Sequence, residues 1–76
     1  MNNQRRSEIK KVMRSLEVNT KKIEAISVDY RRTMKALQDT PDSDSQIKNI
    51  KQKLNKLGSI AFDMEDARLA LEDAII

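Results

Sequence analysis

Five apolar residues stand seven apart in the first half of the chain: Ile9, Leu16, Ile23, Tyr30 and Leu37. Seven residues are close to two turns of α-helix, so one helix carries all five on a single line, over about 42 Å at about 1.5 Å per residue. A second ladder, Ile50, Leu57, Met64 and Leu71, follows the only proline. Between them lies Asp39-Thr40-Pro41-Asp42-Ser43-Asp44-Ser45, a run suited to turns and helix caps rather than to a helix interior. The pattern predicts an all-α fold: two long antiparallel helices forming a helical hairpin, helix 1 over about residues 4–38, a turn over about 39–43 and helix 2 over about 44–75, in a single domain 1–76. Two such hairpins are expected to dimerise into a four-helix bundle.

With Ile9 as position a of a heptad, the d and e slots read Val12/Met13, Asn19/Thr20, Ile26/Ser27 and Thr33/Met34. The stripe is apolar at both ends and half polar near Asn19 and Thr20, and one polar layer in a helical seam often sets register at some cost in stability. Asn2 or Asn3 can cap the first helix. For the second helix, Thr40 before Pro41 is one candidate start. Ser43 with Gln46 three residues on is a capping-box pattern and the preferred one. Ile47, Ile50, Leu54 and Leu57 then define a clean stripe, which Ile60, Met64, Ala67, Leu71 and Ala74 are expected to continue. Gly58 stands where the stripe widens, as a site of close packing, a tolerated weak spot or a hinge.

Phe62, Leu69 and Ile76 form a further line at sevens, roughly 100° or more round the helix from that stripe. A single hairpin partner covers one stripe only. Three apolar residues left in one line point to another helix packing there, so Phe62, Leu69 and Ile76 are the candidate dimer or partner interface.

Composition narrows the chemistry. The chain has no cysteine and no histidine, so disulfides and the common zinc and iron ligand sets are missing. With one Tyr and one Phe as its only aromatic residues, an aromatic-lined cofactor pocket is not expected. Asp63, Glu65, Asp66, Glu72 and Asp73 cluster, yet the inward Glu-x-x-His pair of di-metal bundles is missing. The acidic turn lacks the glycine and closing glutamate of a calcium loop. These residues read as a solvated face and as helix caps. The expectation is a protein that is not an enzyme and has no cofactor and no metal. The longest apolar runs fall short of the ~20 residues that cross a bilayer. The Arg5-Arg6 region leads into charged helix rather than an apolar signal core. Together with cysteine absence, this predicts a cytoplasmic protein with no membrane partner.

Charge is unevenly placed. Residues 1–37 hold ten Lys/Arg against four Asp/Glu, and residues 38–76 hold five against eight. Outward slots of the first helix carry Lys10, Lys11, Arg14, Lys21, Arg31, Arg32 and Lys35, interrupted by Glu17 and Glu24. Such a stripe is an electrostatic footprint for nucleic acid, and Lys10, Lys11, Arg14, Arg31, Arg32 and Lys35 are its candidate phosphate contacts. No helix-turn-helix spacing, stacking platform or zinc knuckle accompanies it. In an antiparallel hairpin whose facing residue numbers sum to roughly 84, Glu72 and Asp73 are expected beside Lys10, Lys11 and Arg14, answering part of that charge within the chain.

Two resemblances attach to particular residues. Met1-Asn2, Arg5-Arg6, Leu16-Glu17, Ile23-Glu24, the proline-containing turn after Leu37, and Leu71-Glu72-Asp73-Ala74-Ile75 resemble small, uncharacterised helical proteins encoded by bacteriophages and prophages. That resemblance implies a phage or bacterial cytoplasmic context and no activity. Residues 47–57 are similar to the second helix of the sporulation aspartyl-phosphate phosphatases. Where their motif is Ser-Gln-Glu-Leu-Asp, this chain reads Lys51-Gln52-Lys53-Leu54-Asn55. The hairpin shape carries over and the phosphatase activity does not. The function expected is a non-catalytic protein-interaction module, in the form of a phage-encoded modulator or inhibitor of a host bacterial protein. The alternative is a basic helical accessory protein that binds DNA or RNA through its first helix.

Overall fold

A computed structural model describes residues 3–76 and is an extended helical hairpin. Its two helices are α1, Asn3–Gln38, and α2, Asp44–Ile75. The rod measures 60 × 14 × 12 Å with a radius of gyration of 17.5 Å, against about 11 Å for a compact domain of this length. Asn3 opens α1; Asn2, the other candidate cap, lies outside the described residues.

The turn is built from side-chain and backbone chemistry at residues 39–43. The Thr40 amide donates to the Leu37 carbonyl at 3.0 Å, and the Thr40 hydroxyl donates to the Ala36 carbonyl at 3.2 Å. Asp42 takes the left-handed conformation with φ 60°, which aspartate tolerates better than most L residues. Ser43 is the N-cap of α2, and its carbonyl accepts from the Ile47 amide at 3.0 Å. Its hydroxyl does not form the expected capping box with Gln46. Instead that single proton is shared between the Leu37 and Thr40 carbonyls. Those carbonyls belong to the end of α1 and to the turn, where intrahelical donors have run out. Ser43 thus ties the end of α1 to the start of α2.

Between the helices runs a narrow seam. On α1 it follows the Ile9 ladder and the e slots: Met13, Thr20, Ser27 and Met34 are half-buried or buried, while Val12, Asn19, Ile26 and Thr33 are exposed. The hydroxyls that enter the seam are satisfied within α1. Thr20 donates to the Leu16 carbonyl at 2.7 Å and Ser27 to the Ile23 carbonyl at 3.0 Å, so each satisfies itself on the turn before it. Thr33 on the exposed flank makes the same bond to the Asp29 carbonyl at 3.1 Å, so such bonds permit burial of a hydroxyl without selecting the flank. Across the seam Thr20 meets the Met64 sulfur at 3.8 Å, and the Lys53 ammonium lies 5.7 Å from the Tyr30 ring centroid, a cation–π pair between the helices. Facing residue numbers therefore sum to about 83–84.

On α2 the stripe begins as expected with Ile47, Ile50, Leu54 and Leu57 and then departs from expectation. Beyond Gly58 it continues through Ala61, Met64, Arg68, Leu71 and Ile75, and leaves Ile60, Ala67 and Ala74 exposed. The arginine fits because its aliphatic stem covers the seam while the guanidinium reaches outward. Gly58 lies within the unbroken α2 span, and a Cβ built there meets nothing within 4 Å. Close packing is therefore not its reason, and it stands as a tolerated weak spot.

Candidate interaction surfaces

A two-helix layer has two broad faces, and here they differ in chemistry. Ile26, Tyr30, Lys53, Lys56 and Leu57 line a shallow hollow on one face, and Arg5, Glu8, Ile9, Val12 and Leu71 line a second, so this face is apolar along its middle and charged at its margins. Both hollows lie on the side of the exposed d slots. Val12, Ile26 and Ile60 are 50%, 45% and 44% exposed there, with the small Ala67 and Ala74 continuing the α2 flank.

The opposite face is charged. Lys10, Met13, Arg14, Glu17 and Arg68 line its hollow. Arg68 donates through Nη2 and Nε to the two oxygens of Glu65 at 2.6 and 3.1 Å, and through Nη1 to Glu72 at 3.4 Å. The hydrogen bond from Arg68, helped by its positive charge, holds the Glu65 carboxyl below the usual range. The same bond to Glu65, with the charges of Glu65, Glu72 and Glu17, holds the guanidinium more firmly protonated. Glu72 is thus engaged by Arg68 on its own helix, not by Lys10, Lys11 or Arg14 as the antiparallel register had suggested.

Phe62, Leu69 and Ile76 stand on the outer edge of this charged face, 69%, 47% and 95% exposed. Helical geometry puts them roughly 100–140° from the seam. Glu65 and Glu72 flank the line on one side, and Asp66 and Asp73 on the other.

The six candidate phosphate contacts are all exposed but form two groups. Lys10, Lys11 and Arg14 lie near the start of α1, and Arg31, Arg32 and Lys35 near its end. About 25 Å of helix separates Arg14 from Arg31 at about 1.5 Å per residue. Arg32 lies 3.9 Å from Asp29 in a fully hydrated pair, a contact of little energetic weight.

Among the described residues no group of three or more acidic side chains is placed to hold a metal ion, and no helix is long and apolar enough to cross a membrane. The residues that sequence patterning missed as surface are Val12, Ile26 and Ile60. Each belonged to a slot that fitted the seam, and only the choice of flank revealed them as exposed. No family model, curated protein or solved structure matches the chain.

Proposed function

We propose that the protein is a non-catalytic interaction module whose apolar line Phe62–Leu69–Ile76 docks an amphipathic helix of a partner protein. The observation that carries this reading is the exposure of three large apolar residues at seven-residue spacing on one edge of α2, a line left largely open by the described residues. Its acidic flanks define the partner's chemistry. They call for a helix with an apolar stripe bordered by Lys or Arg, since opposite charges around an apolar contact steer and orient association. The phage-protein resemblance supplies the setting: a phage-encoded modulator of a host bacterial protein, acting in the cytoplasm. The second reading, an accessory factor for DNA or RNA, is favoured by the exposed cations at both ends of α1.

Capture from bacterial lysate, with and without nuclease, tests both. The expected result is a protein partner that survives nuclease and is lost with Leu69→Asp, which sets a charge in the middle of the apolar line. Capture that disappears with nuclease, ignores Leu69→Asp, and is abolished when Arg14, Arg31, Arg32 and Lys35 are all changed to Gln would move the function to the second reading.

A further inference from the structure

We propose that a second copy of this chain packs on the opposite face, the one carrying Val12, Ile26, Ile60, Ala67 and Ala74, with each α1 lying over the partner's α2 to close a four-helix bundle. The inference stands apart from the Phe62–Leu69–Ile76 line, which this arrangement leaves outside the dimer.

Surface area argues that a large face is to be covered. The chain exposes 6081 Å², whereas a compact monomer of 8.8 kDa exposes about 4,800 Å². The excess of about 1,300 Å² exceeds the roughly 800 Å² that each partner contributes to a standard stable interface. A second seam also needs heptad-spaced positions, and this face has them. Positions 12, 19, 26 and 33 on α1 and 74, 67, 60 and 53 on α2 alternate along this face, each pair offset by about 3 Å from the register that pairs Thr20 with Met64. Asn19 is the only amide among these positions, with the small Ala67 near its level. A single Asn in an apolar helical seam is a known device for fixing register.

Charge identifies the occupant as a second copy and sets its orientation. The charged residues of the face are Arg5, Glu8, Lys22 and Asp29 on α1, and Lys53, Lys56 and Asp63 on α2; in the middle of the rod Lys22, Asp29, Lys56 and Asp63 form its rim. With the two-fold axis parallel to the rod, α1 crosses onto the partner's α2 at the same level. Lys22 then meets the partner's Asp63, and Asp29 meets the partner's Lys56. Both pairs are of opposite sign, and each occurs twice. Turning the partner end for end places α1 over α1, one basic helix against another. The face is therefore self-complementary in one orientation and self-repelling in the other.

Sedimentation equilibrium and native mass spectrometry test the proposal together. The wild type should be a dimer at tens of micromolar. Ile60→Asp should weaken it at least tenfold with helicity largely kept, because Ile60 lies outside the hairpin's own seam. Leu69→Asp should leave the dimer intact, even where it abolishes capture of a foreign partner. Lys22→Glu and Asp63→Lys should each weaken self-association in low salt. When those two single variants are mixed, heterodimers should exceed the statistical share, because only the mixed pair restores both charge contacts between chains. A monomeric wild type would overturn the proposal. So would a dimer broken by Leu69→Asp and spared by Ile60→Asp, or a purely statistical mixture of the two charge variants.

Discussion

Ile50→Ala is expected to lower the unfolding free energy by about 2–3 kcal/mol, the low end of the range for truncating a buried isoleucine. Ile50 is 8% exposed and is the one buried apolar residue among those described. The register of the seam places it level with Met34, close to the turn. The low end applies because a two-helix layer is open at both faces, so long side chains can settle into part of the space. The loss is still a large part of the whole, since a chain of this length commands about 4–11 kcal/mol. The melting temperature should fall by roughly 10–20 °C. Urea unfolding followed by circular dichroism measures it. A change below about 0.5 kcal/mol, the level of an ordinary surface substitution, would mean that Ile50 is not the anchor of the seam.

Ser43→Ala is expected to cost about 1–2 kcal/mol. Ser43 is 5% exposed, and its hydroxyl proton serves the Leu37 and Thr40 carbonyls. Leu37 keeps the Thr40 amide as a donor, whereas the Thr40 carbonyl is left with no protein donor beside the turn. The cost is therefore that of one under-satisfied carbonyl. Gln46→Ala is the informative companion. A capping box would make Gln46 matter through its return bond to the cap residue, but here the serine faces the other way, and Gln46→Ala should change stability by no more than about 0.5 kcal/mol. Equal losses from the two substitutions, read in the same urea titration, would restore the capping box and contradict the turn described here.

The two ladders made the hairpin legible in the sequence, because Ile9 to Leu37 and Ile50 to Leu71 repeat at an interval that only helices align. The turn was legible from Pro41 and the Asp/Ser run around it. The flank of each ladder that enters the seam was not. Slots d and e of α1 hold equal numbers of apolar residues, and the alternation of three and four is the same for either. Hydroxyls do not separate the flanks either: Thr20 and Ser27 on one and Thr33 on the other all satisfy themselves on the preceding turn. The same ambiguity hid Ile60 behind Ala61, and Arg68 was not expected in a seam at all, because its stem and its charge act in different places. The direction of the Ser43 hydroxyl was also out of reach, since a cap motif does not say which of two nearby helix ends its proton serves. Phe62, Leu69 and Ile76 were singled out in advance because they lie too far round α2 for either flank to cover.

The central claim is the proposal that a second copy of the chain covers the face carrying Val12, Ile26 and Ile60. The dependence of thermal unfolding on protein concentration tests it most directly. Where folding is coupled to association of two copies, each tenfold rise in concentration adds about 1.4 kcal/mol to the stability of the assembly. The midpoint should then climb by several degrees between about one and one hundred micromolar. A midpoint that stays constant over that range, in a fully helical wild-type chain, would show a hairpin that is complete by itself and would contradict the claim.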